Sequence, residues 1–475
     1  MFQLSEQNRS LLAMLPVSLL IVLFSFAKVE PEIVAGLDGS YMWALNYLLH
    51  ANYNALRELV YPFGPLGFLK HPMLVGYNVV VALLFTVFVK LAFVYQMLLL
   101  GYKTSGKIKG SHLLIALIIS YFSIPDFSII GGCIVSLLLF YQTRKKYFFI
   151  WAVLLATVGL CIKISIGINA GAAVFVFLIA DFYYHRTRIK IAWLAAIAFV
   201  VALSTGLLVF RSLPQFFSFL FNAVRLATGF GDALSLHPDN NWWLLGTFIV
   251  AVLAVPFVLK NRMAVLAFLL LMLPLFATWK HAMAREDETH ARLLLFFLFI
   301  FWGIIGLTVT AKKGRLFVLA SVCILAYYAN MYNIPGFGGY KIEVAGIHNF
   351  SEPALEYQTF AARNLQRSAQ NLEPYKLDSA LLATIGNSAI DFYPFDFGFV
   401  PANGLNFRPR STLQSGAFAT WYDLEEASDF TAETGPRFVL LHLAPLCGQC
   451  PMVDGWQLED ATSCSRSVGL CQTVL

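Results

Sequence analysis

The sequence predicts a polytopic α-helical membrane protein of about 11 transmembrane helices, followed by a small α+β domain outside the cytoplasm. Three observations predict it. Hydrophobic residues make up 59% of the 475 and charged residues 13%, against roughly 25% charge in a soluble globular chain, and mean hydropathy is +0.69. Apolar runs recur from residue 11 to residue 332, and the connections between them alternate in charge. Beyond residue 332 the hydrophobicity collapses.

The first apolar run covers 11–27, behind Arg9. Ser25-Phe26-Ala27 resembles a signal-peptide cleavage site, but the run is longer than a usual signal core and many spans follow, so a retained first span is expected. The next runs are 73–101, 111–123, 127–142, 148–162, 164–184, 191–210, 242–259, 263–279, 293–310 and 316–332. Several are shorter than the roughly 20 residues a perpendicular helix needs. The close pairs 111–142 and 148–184 therefore also read as long kinked helices or re-entrant hairpins.

Charge decides between these readings. Basic clusters at Lys103/Lys107/Lys109, Arg144/Lys145/Lys146, Arg186/Arg188/Lys190, Lys260/Arg262 and Lys312/Lys313/Arg315 occupy every second connection, with no acid among them. The intervening connections hold Glu30, Glu32, Asp38, Glu58, Asp126, Asp232, Asp239, Glu286, Asp287 and Glu288. The positive-inside rule puts the basic loops in the cytoplasm and the acidic ones outside. Each close pair must then cross twice, which gives eleven spans in the cytoplasmic membrane with the N-terminus inside. Residues 1–332 form the transmembrane domain and 333–475 an extracytoplasmic domain. With charge distributed in this way, the net +6 carries no message about nucleic acid, and none is expected as a partner.

The first external loop, 28–72, is the most informative stretch. Gly36-Leu37-Asp38-Gly39-Ser40 puts a carboxylate in a glycine-flanked turn shortly after a span. A helical run rich in Tyr41, Trp43, Leu45, Tyr47, Leu48 and Leu49 follows, as expected of a helix lying in the membrane interface. Tyr61-Pro62-Phe63-Gly64-Pro65-Leu66-Gly67-Phe68 makes a rigid aromatic turn leading back to the bilayer. The bland alternative is a loop acid on an ordinary connector.

Further along the outer face, Asp126 follows Pro125 at one tight turn, and Lys163 sits in CIKISIG at another. Residues 214–228 alternate at helical spacing, with Phe217, Leu220, Phe221 and Val224 on one side and Gln215, Ser218, Asn222 and Arg225 on the other. That pattern predicts an amphipathic interfacial helix. The external loop 280–292, KHAMAREDETHAR, concentrates charge beside His281 and His290, and reads either as functional or as a solvated, internally paired loop. In the C-terminal domain, helical patterning around 353–371 precedes strand-like runs at 379–385 and 437–442, hence α+β. Gly386-Asn387-Ser388 and NGLNFRPRSTLQS at 403–415 are functional loops or turns that only shape the domain.

Of seven cysteines, Cys133, Cys161 and Cys323 lie in spans and read as packing residues. Cys447, Cys450, Cys464 and Cys471 crowd the tail. Outside the cytoplasm these suggest two disulfides in any of three connectivities. A zinc site is the alternative, although only the first pair has the tight spacing such sites favour.

An acid after span one, an interfacial helix behind it and a second acid between spans three and four resemble the GT-C class of integral membrane glycosyltransferases. GLDGSYMWALNYL, YPFGPLGFL, WKHAMAREDETHARLLLFF and ANGLNFRPRSTLQS are also similar to a group of bacterial multi-spanning proteins. The class resemblance implies transfer of a sugar from a polyprenyl-phosphate-linked or diphosphate-linked donor outside the cytoplasm, in envelope glycan assembly. The acceptor it leaves open as a glycan, a lipid or a protein. Asp38 and Asp126 match the class's acids by position, and without a paired acidic signature a divalent metal stays open as cofactor.

Such transfer needs a base for the acceptor hydroxyl and cations for the departing phosphate. Asp38 is the candidate base, with Glu58 or Asp287 next in line. Lys163, Lys280 and Arg285 are the phosphate candidates, by point charge and bidentate contact, and His281 or His290 could assist. Asp287, Tyr61, Arg408 and Arg410 complete the substrate-binding set. HExxH-type metal spacings, P-loop, dinucleotide and serine-hydrolase signatures are absent, and no metal ligands are assigned. The rival class is a transporter or flippase of a lipid-linked or small polar substrate, on the evidence of Lys90 deep in a span; no internal repeat accompanies it. A structural subunit of an envelope assembly is a third reading.

Overall fold

The computed structural model describes residues 6–185, 188–233, 261–285, 288–309, 345–394, 396–414, 435–442 and 468–472, with isolated positions between them. The expected spans at 242–259 and 316–332, Asp287, and Cys447, Cys450 and Cys464 lie outside the described residues, and so does the disulfide expectation. The helices in chain order are α1 Glu6–Phe24, α2 Leu37–Ala51, α3 Tyr53–Glu58, α4 Asn78–Ser105, α5 Gly110–Phe122, α6 Pro125–Thr143, α7 Lys146–Ile162 and α8 Ile164–His185. They continue as α9 Arg188–Phe210, α10 Leu213–Ala233, α11 Arg262–Arg285, α12 Glu288–Thr308, α13 Ala345–Leu355, α14 Tyr357–Leu372, α15 Ser379–Ile385 and α16 Phe399–Asn403. Strands are β1 Ile390–Tyr393, β2 Phe438–His442 and β3 Val468–Gln472.

The chain divides into two compact units. One holds Met1–Val29, Val80–Leu213 and Leu234–Tyr357; the other holds Glu30–Val79, Pro214–Ala233 and Gln358–Leu475.

Among the described residues, α4, α6, α8, α9, α11 and α12 supply six segments long and apolar enough to cross a membrane; α1, α5 and α7 carry shorter apolar segments. The protein is a multi-pass helical membrane protein. Within the first unit α6 and α12 are central, with 78% and 83% of their apolar windows buried, and α9 is peripheral at 17%. Both close pairs are separate helices. Pro125 starts α6 at its first position, where a missing N–H costs nothing, and Lys163 breaks α7 from α8 with an extended backbone at φ −150° and ψ 132°. Small residues let these helices meet. A Cβ on Gly167 would lie 2.3 Å from Leu160 Cα, and one on Gly303 would lie 2.3 Å from Ile119 Cδ1, the close approach expected where helices pack without a hydrophobic driving force between them.

Lys90, the mid-span cation, is 3% exposed, and its ammonium donates to the Ser25 carbonyl at 2.7 Å. Ser25 follows the last residue of α1, so the Lys90 amine supplies a donor to the carbonyl end of that helix. Ser25 Oγ in turn lies 2.6 Å from Ser120 Oγ on α5. These bonds give Lys90 a structural role.

In the second unit, β1 pairs parallel with β2, from Ile390↔Phe438 to Tyr393↔Leu441, and β2 pairs antiparallel with β3. One core joins this sheet to the first loop: Trp43, Leu45 and Leu48 of α2 cluster with Phe392, Phe399 and Phe407. Each side chain fully buried in this way contributes roughly 1.5–3 kcal/mol. The run expected to lie in the membrane interface therefore packs on protein. The aromatic turn is buried too, with Tyr61 2%, Phe63 5% and Phe68 6% exposed. Buried Asn46 ties α2 to the end of the loop: its amide donates to the His71 carbonyl at 2.7 Å, and its oxygen accepts from Met73 N at 3.0 Å.

Two expectations change. Residues 379–385 form a helix, not a strand, because the Asp378 carboxylate accepts from Leu381 N at 2.8 Å as an N-cap and Gly386 ends the turn at φ +53°. In α10 the buried residues are Phe216, Phe219, Ala223 and Leu226, whereas Phe217, Phe221 and Val224 are 51%, 65% and 67% exposed. The helix has a second apolar face that periodicity alone did not separate from the first.

Candidate functional site

Asp38 stands in the first turn of α2, exposed, between neighbours that are tightly held. Its two flanking glycines have different physical reasons. Gly36, the residue before the helix, sits at φ +100°, where a Cβ would be strained. Gly39 presses on the preceding chain: an added Cβ would lie 1.8 Å from the Val34 carbonyl oxygen. Gly39→Ala is expected to destabilise the protein by about 1–3 kcal/mol, the usual cost of overpacking, read as a lower melting temperature of the detergent-solubilised chain.

The start of α2 is anchored by an acid the sequence reading did not single out. Asp396, 4% exposed, accepts from Gly36 N at 3.0 Å, Ser40 Oγ at 3.3 Å and Gly398 N at 3.3 Å. A carboxylate there also complements the positive end of the helix. Gly398 is part of the same interlock, since a Cβ on it would lie 2.6 Å from Ala35 Cβ, and Gln414 Nε2 donates to the Leu37 carbonyl at 3.3 Å. One acid, from the segment after β1, is thus buried and bonded against this turn, while Asp38, on the turn itself, is exposed.

Arg410 and Asp391 form a second buried feature. Both side chains are 0% exposed; Arg410 Nη1 lies 2.7 Å from Asp391 Oδ2 and 2.9 Å from the Phe392 carbonyl, and Nη2 donates to the Pro394 carbonyl at 2.6 Å. Burial pushes the Asp391 carboxyl above the ordinary carboxylate range, against the pull of Arg410. Of the candidate binding residues in this unit, Arg410 is committed to that pair and Tyr61 stacks on Phe63 at 5.9 Å. Arg408 is exposed, its backbone N bonded to the Ile390 carbonyl at 2.8 Å. Glu58 is exposed and accepts from Gln215 Nε2 at 3.0 Å.

The other candidates belong to the first unit. Asp126 is half-buried in the first turn of α6, and Lys163 is half-buried at the break between α7 and α8. Lys280 is exposed on α11, which ends at Arg285. The structure brings His281 and His290 together, their ring centroids 4.5 Å apart at 75°. They are nine positions apart in sequence, but α11 ends and α12 begins between them, which closes the gap. Such a pair can donate to phosphate oxygens or contribute two ligands to a metal. Among the described residues no group of three or more His, Cys, Asp or Glu is placed to hold a metal ion.

The fold and these sites define a multi-pass helical membrane protein that carries a second unit of mixed sheet and helices. No protein-family model, curated protein or solved structure matches the chain.

Proposed function

We propose that the protein is a membrane glycosyltransferase that moves a sugar from a polyprenyl-phosphate-linked donor to an envelope acceptor outside the cytoplasm. The observation that carries this reading is Asp38: an exposed carboxylate on a turn that Gly36, Gly39 and Asp396 hold rigid. A general base must be fixed in place and still reach its substrate. In this reading the chain crosses the cytoplasmic membrane eleven times with its N-terminus inside, and residues 333–475 lie outside. Asp38 takes the proton of the acceptor hydroxyl as its oxygen attacks the anomeric carbon. The bond from that carbon to the phosphate oxygen breaks, and polyprenyl phosphate or diphosphate leaves with the electron pair. The sequence offers Lys163, Lys280 and Arg285 as the cations for the charge growing on the phosphate, with His290 assisting and Asp126 as a second acid for the acceptor or a divalent metal.

The test is release of polyprenyl phosphate or diphosphate from a panel of labelled donors by the full-length protein in proteoliposomes. Lys280→Ala and Arg285→Ala are expected to raise KM for the donor, with kcat lowered less. Intact protein that consumes no donor in the panel would remove the transferase reading.

A further inference from the structure

The first unit holds a cavity of about 320 Å³ that none of the roles above uses. One wall is a single face of α4, with Phe88, Ala92, Tyr95, Leu99 and Lys103 at helical spacing. From Phe88 to Lys103 the helix rises about 22 Å, more than half of a hydrocarbon core of roughly 30 Å. The opposite wall is the start of α7, with Lys145, Tyr147, Phe148 and Trp151; Phe88 and Trp151 meet edge to face at 5.6 Å.

Charge is confined to one end; midway along α4 the amide of Gln96 also lines the cavity and is bonded to Ser136 Oγ at 2.9 Å. Lys103 lies in the last turn of α4 and Lys145 is the residue before α7, so the first-turn N–H groups of α7 add to their positive potential. Thr143 lines the cavity beside them, and among the described residues no acid lines it. Neighbouring Arg144 is different: it pairs with Asp181 at 2.6 Å. Among the described residues, the Lys103 and Lys145 ammonium groups make ring contacts, over Tyr102 at 5.9 Å and Tyr147 at 6.0 Å.

A long, mainly apolar slot, edged by the exposed Phe88 and Tyr147 (57% and 56%) and closed by two lysines at its charged end, has the shape and charge of an anionic lipid. We propose that this cavity binds one anionic glycerophospholipid, its phosphate between Lys103 and Lys145 and an acyl chain along α4. Charge complementarity selects this occupant: a free phosphate would leave the apolar walls unfilled, and a zwitterionic lipid would bring a second cation to the lysines. The proposal is independent of the transferase reading, since it uses none of its residues.

The experiment is native mass spectrometry of the full-length protein in neutral detergent, with equal amounts of phosphatidylglycerol and phosphatidylcholine. The expected result is one phosphatidylglycerol retained in preference, undiminished by millimolar inorganic phosphate. Lys103→Ala with Lys145→Ala should lower its retention at least tenfold, from about fivefold per lysine, with phosphatidylcholine unchanged. Ala92→Trp, which leaves both lysines and fills the slot, should also expel the lipid, and it decides the matter if the lysine variant does not fold. Equal retention of the two lipids, displacement by inorganic phosphate, or wild-type binding in Ala92→Trp would overturn the proposal.

Discussion

Asp38→Asn is expected to lower sugar transfer by ~10²–10⁴, in kcat more than in KM, while the protein remains folded. Asparagine keeps the size of the side chain and much of its hydrogen bonding but cannot take the acceptor's proton. The fold should tolerate it because Asp38 is exposed, and the lost interaction with the helix dipole is worth only about 0.3–1 kcal/mol. The anchoring bonds of that turn belong to Asp396, which the substitution leaves intact. The assay is polyprenyl phosphate or diphosphate release by wild type and variant, with melting temperature as the folding control. Asp126→Asn should match it only if the two acids share a metal or the acceptor. Full activity of Asp38→Asn would remove this residue from the mechanism and leave Glu58, exposed, or Asp287 as the base.

Most of what depended on local pattern was legible in the sequence. Among the described residues the long apolar runs with polar breaks became helices, and the strand at Phe438–His442 lies within the strand-like run at 437–442. Pro125 and Lys163 mark real helix boundaries. What depended on distant partners was not legible. Trp43, Leu45 and Leu48 form an apolar helix face whichever surface covers it, so a membrane interface was as good a guess as the aromatic residues near 400 that do cover it. Lys90 looked functional because its partner, the Ser25 carbonyl, is a backbone group with no sequence signature. Asp396 was invisible for the converse reason: it serves the backbone N–H of Gly36, 360 residues away. Residues 379–385 went to the wrong class because a seven-residue apolar run carries too little periodicity to tell strand from helix. The cap at Asp378 was the better signal.

Arg410→Met is expected to destabilise the protein by about 3–5 kcal/mol, because it strands a fully buried carboxylate. The double variant Asp391→Leu/Arg410→Met removes both charges and should recover more than half of that loss. Recovery stays incomplete because the Phe392 and Pro394 carbonyls still lose their donor, at about 1 kcal/mol each. The pH dependence of the single variant identifies the cause. Burial already raises the Asp391 carboxyl in the intact protein, and without the Arg410 guanidinium its largest opposing charge is gone, leaving the backbone N–H groups of Phe392 and residue 410 to pull it down. Its folded-state value then lies above the unfolded value of about 3.9, so the folded state holds the proton more tightly than the unfolded state. Stability therefore falls as pH rises from about 4 up to the folded-state value and is level above it. The melting-temperature deficit of Arg410→Met should accordingly be smaller at pH 5 than at pH 8, measured by scanning fluorimetry of the solubilised chain. A deficit independent of pH, or a double variant no better than the single one, would show that packing around Arg410, not the stranded carboxylate, carries the loss.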